Sequence, residues 1–106
     1  MNFYLSTIQN SPKVHSIKVV SDLALLEPVT RAAVQAILVE GKKAGHNLMV
    51  FETYRSRELQ QVYFRRGVTR LKNVGVHHYG CAADIVKVIN GNQIYPRGKY
   101  QWSGAI

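Results

Sequence analysis

The sequence predicts an α+β fold in which two or three helices pack against a small, mostly antiparallel sheet, and three observations carry that prediction. The stretch opening at Glu27-Pro28 has apolar residues at helical spacing. A short apolar run, Asn47 to Phe51, follows a glycine turn. A run of small and β-branched residues from Ala82 to Ile89 ends at the turn pair Asn90-Gly91. A length of 106 residues suits one compact domain, so residues 1–106 are read as a single unit with 1–21 as an irregular lead-in.

In that lead-in, Phe3-Tyr4-Leu5, Val14, Ile17 and Val19-Val20 alternate with Ser, Asn and Pro, which allows one short strand. Pro28 then fits a first helical turn, and Ala33, Val34, Ile37, Leu38 and Gly41 form one stripe. Lys42 and Lys43 complement the negative end of the helix dipole, and Gly45 stops the helix. The buried strand Asn47 to Phe51 delivers Glu52-Thr53-Tyr54-Arg55 at its carboxyl end. Ser56 is a good N-cap for a second helix, Arg57 to Arg66, with Leu59, Val62 and Tyr63 at helical spacing and Gly67 as terminator. Residues 68–76 are basic and irregular, a loop along one rim of a site. Ala82 to Ile89 reads as a strand, joined through Asn90-Gly91-Asn92 to Gln93-Ile94-Tyr95 in a hairpin. A further helix is expected to begin near Ile106.

Composition narrows function without choosing it. Lys and Arg total 14 against 6 Asp and Glu, a net charge of +8, which favours a polyanionic partner such as nucleic acid or an anionic wall polymer. Nucleic acid is disfavoured, because no helix-turn-helix or finger pattern accompanies the charge. Apolar runs such as Leu23 to Leu26 fall far short of the roughly 20 residues that cross a bilayer, so no membrane span is expected. Met1 to Gln9 lacks the pattern of a signal peptide. Cys81 is the only cysteine, so any metal site must use His and carboxylates. It reads as a small buried residue, since no motif places a base beside it.

The most informative stretch is Val76-His77-His78-Tyr79-Gly80-Cys81-Ala82-Ala83-Asp84-Ile85. An imidazole in a loop and a carboxylate in the next strand can converge on a divalent ion if the chain turns at Gly80. Alternation puts Ala82, Asp84 and Val86 on one face, and a charge on that apolar surface needs a partner. Spacing alone leaves two readings open: metal ligands, or a hydrogen-bonded structural couple.

His77, Gly80, Ala82 and Asp84 match the pattern His-x-x-Gly-x-Ala-x-Asp, and Tyr54-Arg55-Ser56 with Gln60 match Tyr-Arg-Ser-x-x-x-Gln upstream. The two ordered motifs resemble those of the zinc peptidase family of D-alanyl-D-alanine carboxypeptidases, vancomycin-resistance dipeptidases and L-alanyl-D-glutamate endolysins. The resemblance runs from about Asp22 to the chain end. It implies a fold like that of the hedgehog and D-Ala-D-Ala-peptidase proteins, zinc as cofactor, and a peptidoglycan stem peptide as substrate. It further implies that His77 and Asp84 are metal ligands and that Arg55 stabilises the developing oxyanion. Gln60 would orient substrate or Arg55, and Arg70 and Lys72 would meet a carboxylate-bearing peptide.

Two departures qualify the match. Gly75 stands where the family carries a serine. The family's third ligand and its acid/base carboxylate lie in a later segment, and no His follows Asp84 here. The expectation is therefore a carboxyl-terminally truncated member with weak or no hydrolytic activity. The alternative is a non-catalytic wall- or peptide-binding module, and an uncovered sheet edge would favour a homo-oligomer. A dimer supplying His15, His46 or Glu52 in trans has no support in the sequence. More ordinary roles stand beside these. Arg55 can pair with Glu52 or Glu58, and His78 can be a surface residue or a support behind the ligands. His15 and His46 can be solvated, and Tyr54, Tyr63, Tyr79 and Trp102 can be core or rim aromatics. Arg65, Arg66, Arg70 and Lys72 can form a solvated basic face.

Overall fold

A computed structural model describes residues 2–70, 74–94 and 101–102. The order is a π-helical turn (Tyr4–Ile8), a 3-10 turn (Leu23–Leu25), α1 (Pro28–Lys43), β1 (Leu48–Glu52), α2 (Arg57–Arg65), a 3-10 turn (Val76–Tyr79), β2 (Ala83–Ile89), β3 (Asn92–Ile94) and β4 (Gln101–Trp102). The fold is α+β with an antiparallel sheet. β2 pairs with β1 on one side, and with β3 and β4 on the other. Among the described residues no helix is long and apolar enough to cross a membrane.

α1 forms where its sequence signals place it. The Glu27 carboxylate accepts from Val29 N at 2.7 Å, satisfying one of the first-turn amides, and Lys42 and Lys43 occupy the last turn. Its apolar stripe buries Val34, with Ile37 and Leu38, against Leu26, Ala83 and Ile85 and the flanking Leu23, Leu48 and Val50. A Cβ at Gly41 would fall 2.5 Å from Leu48 Cδ1, so glycine lets the helix lie close to β1. The hairpin also forms as its turn residues require. Ile89 pairs with Asn92, and both intervening residues have positive φ, 51° at Asn90 and 79° at Gly91, which suits the right-handed twist of the strands.

The lead-in departs from expectation. Among its described residues there is no strand, because its backbone bonds close locally: Gln9 N to Tyr4 O at 2.8 Å, Ser11 N to Ile8 O at 3.0 Å and Val14 N to Ser11 O at 3.1 Å. It is also part of the core. Ile8, Val20, Leu25 and Tyr54 form a buried cluster, covered by Phe3, Tyr4 and Val14. Lys72, Asn73, Tyr95 and the helix expected near Ile106 lie outside the described residues.

Candidate metal centre

A bulge in β1 builds the first part of the site. Strict alternation puts Glu52 on the face of Leu48 and Val50, against α1. The register instead runs Val50 to Ile85 and then Glu52 to Asp84, with the shift falling across Phe51. The extra residue turns Glu52 onto the opposite face, directly across from Asp84. Both carboxylates are buried, Glu52 at 1% exposure and Asp84 at 7%. Like charges opposed on neighbouring strands are unfavourable without a cation between them.

His77 comes from the 3-10 turn before β2, which ends at Gly80 with φ +72°. A Cβ at Gly80 would sit 2.5 Å from Leu25 O, so both conformation and space demand glycine. The turn is tied to the upstream motif by Arg55 N donating to His77 O at 3.2 Å. The ring is tied too: His77 Nδ1 lies 2.7 Å from Thr53 O, and since a carbonyl only accepts, Nδ1 carries the proton. In the neutral ring Nε2 is then the lone-pair nitrogen, the tautomer that metal-binding imidazoles adopt. It faces Asp84 Oδ1 at 3.5 Å, and that oxygen is buried without a hydrogen-bond partner. Two acceptors at this distance call for a proton or a cation.

Arg55 supplies the site's fixed positive charge. Its Nε donates to Glu52 Oε2 at 3.2 Å and its Nη2 to Glu52 Oε1, while Nη1 donates to Gln60 Oε1 at 3.1 Å. Nη2 also stands 3.7 Å from Asp84 Oδ2, and the guanidinium carbon lies 4.8 Å above the Tyr63 ring. Burial works against the charged form, but the Glu52 and Asp84 carboxylates outweigh it and raise the Arg55 pKa. Gln60 is 3% exposed on α2, whose amino end is capped by Ser56 Oγ accepting from Leu59 N at 2.9 Å.

The lead-in holds the segment that carries Arg55. Thr53 N donates to Val20 O at 2.7 Å, Thr53 Oγ1 donates to Asp22 O at 2.9 Å, and Tyr54 Oη donates to Val14 O at 2.6 Å. Ser56 Oγ donates to Ser16 O. Burial raises the Tyr54 pKa, so its hydroxyl remains a donor.

The remaining predicted residues fall elsewhere. His78 is buried among Tyr4, Tyr54 and Tyr79, with ring centroids 4.9, 5.8 and 5.1 Å away, and burial lowers its pKa. It packs the turn. His15 is exposed and bonds Glu58 through Nδ1 at 2.7 Å; His46, Arg65, Arg66 and Arg70 are exposed. Cys81, expected to be buried, is partly exposed two residues before β2.

Glu52, His77 and Asp84 each offer one ligand atom, all within 4.8 Å of one another, so this buried group can hold a metal ion. Ligands at about 2.0–2.1 Å from a tetrahedral ion lie roughly 3.3–3.5 Å apart, and the 3.5 Å between His77 Nε2 and Asp84 Oδ1 fits that spacing. Sequence reasoning named His77 and Asp84 and placed the third ligand beyond the chain. Glu52, weighed from the sequence only as a donor in trans or as a partner of Arg55, stands beside them in cis as a candidate third ligand. The readable signal was a carboxylate ending one apolar strand beside a second strand that carries another; β1, expected to be buried, is in fact half-buried, with only Glu52 fully enclosed and Met49 exposed, because it covers α1 on one face only. Comparison with family models, curated proteins and solved structures finds no match.

Proposed function

We propose that the chain is a zinc-dependent peptidase acting on peptidoglycan stem peptides, of D-Ala-D-Ala carboxypeptidase or L-Ala-D-Glu endopeptidase type, with the fold that its motifs resemble. One observation carries the reading: the two motifs, about twenty residues apart in sequence, meet at one buried point. Thr53 orients His77, Glu52 opposes Asp84, and Arg55 spans both carboxylates. One imidazole with two carboxylates is a donor set suited to zinc, whereas magnesium and calcium favour all-oxygen shells.

When bound, zinc polarises a carbonyl and lowers the pKa of its water. The chain's residues supply the rest. The Thr53 carbonyl fixes the His77 tautomer, leaving Nε2 as the donor to the ion. Without metal, three of the five N–H groups of Arg55 are engaged by Glu52 and Gln60. The others, on Nη1 and on the Asp84 side of Nη2, suit an oxygen that gains negative charge. Gln60 and Tyr63 keep the guanidinium plane in place.

The test is hydrolysis of cross-linked peptidoglycan and of a D-Ala-D-Ala peptide, with zinc or with chelator. Weak zinc-dependent cleavage, abolished by His77→Ala, is expected, because both carboxylates of the site serve as ligands and neither is left as a general base. Retention of the chain on peptidoglycan with no cleavage in zinc would replace this reading with the binding module.

A further inference from the structure

Glu52 and Asp84 already share a cation, and it is Arg55. The guanidinium holds Glu52 by two donors and approaches Asp84 Oδ2 at 3.7 Å, on a face where Asp84 Oδ1 and His77 Nε2 stand 3.5 Å apart with no hydrogen bond to Oδ1. Two carboxylates thus face a single guanidinium in a buried space, beside the His77 imidazole, and buried carboxylates are stable only with cationic or hydrogen-bonding partners. A dication reverses the sign of the cluster and competes with Arg55 for the same oxygens.

We propose that Arg55 is the resident counter-cation of this site, exchanged against the metal ion. Without metal it neutralises Glu52 and Asp84. With metal the carboxylates turn to the ion, and the guanidinium, released from Glu52, becomes a binder for a carboxylate-bearing ligand. Metal loading thereby arms the anion site. The proposal deepens the metal reading above and rests on it. Gln60 and the Tyr63 ring are the contacts that keep Arg55 in place after the exchange, since neither is a carboxylate the metal would take.

The experiment is zinc affinity by competition with a chromophoric chelator for the wild-type chain, Arg55→Met and Arg55→Lys. Removing the cation beside a dication should tighten zinc binding about tenfold or more in Arg55→Met. Arg55→Lys, which keeps the charge, should stay near wild type. Equal or weaker zinc binding by folded Arg55→Met overturns the exchange while leaving the metal site standing. If wild type binds no zinc and Arg55→Met does, the exchange is supported and the zinc peptidase reading fails. If neither binds, both fall. A second readout needs no variant: the Arg55 Nε–H signal in the 15N NMR spectrum of the wild-type chain should shift as zinc is added. A signal that stays fixed at zinc saturation overturns the proposal.

Discussion

Replacing Asp84 with Asn separates a metal ligand from a structural carboxylate, because the two roles give opposite signs. In the metal-free chain Asp84 is attracted to Arg55 across 3.7 Å and repelled by Glu52, whose ligand atom lies within 4.8 Å. At an effective dielectric near 20 these come to about 4 kcal/mol of attraction and about 3 kcal/mol of repulsion, so they nearly cancel. The desolvation of a carboxylate with an unpartnered buried oxygen is left. The Asn amide is neutral and can donate to His77 Nε2, turning an acceptor–acceptor contact into a hydrogen bond worth about 1 kcal/mol. Asp84→Asn should therefore raise stability in chelator by about 1 kcal/mol, a Tm gain of roughly 4–8 °C for a domain of this size. Wild type should gain about 2.7 kcal/mol from zinc at a hundred times its Kd, and the variant should lose that gain. Thermal unfolding followed by circular dichroism, in chelator and in zinc, reads both. A variant that melts lower in chelator yet keeps the zinc shift would refute the reasoning and make Asp84 a structural partner of His77.

Three further outcomes follow from the parts that position the site. Tyr54→Phe leaves Val14 O without its donor in a mostly buried setting and should cost about 1–2 kcal/mol in urea unfolding. Gly80→Ala places a side chain at φ +72° and 2.5 Å from Leu25 O, so a loss of about 2–4 kcal/mol and weaker zinc binding through His77 are expected in the same titrations. Asp22 caps the turn before α1 by accepting from Ala24 N at 2.9 Å, and that bond, with Lys13 nearby, lowers its pKa below 3.8. A depressed folded-state pKa stabilises above the unfolded value and is lost as pH falls through the folded one. Asp22→Ala should thus cost about 0.5–1 kcal/mol at pH 7, at the low end for a cap because the side chain is 38% exposed, and less as pH falls below 3.8.

The legible parts of the sequence are those governed by local rules. Pro28, the 33–41 stripe, Ser56 and Asn90-Gly91 act within a few residues of themselves, and α1, α2 and the hairpin form where they indicate. The lead-in was opaque because its contacts with residues 53–56 span 33 to 40 positions and run from side chains to carbonyls, which leaves no periodic trace. Glu52 was hidden by the bulge: period-two alternation assigns it to the α1 face, and only the register with β2 turns it toward Asp84. The pairing of Arg55 with Glu52 is legible, since the two lie three residues apart. What the sequence could not reveal is that the same guanidinium reaches Asp84, since that contact depends on β1 and β2 being neighbours.

Zinc titration of the metal-free chain, with X-ray absorption at the zinc edge, tests the central claim most directly. One zinc per chain, with one imidazole nitrogen and two carboxylate oxygens among its neighbours, and loss of binding in His77→Ala and Glu52→Gln, is the predicted result. A chain that takes up no zinc, or whose zinc is untouched by both substitutions, would contradict the account.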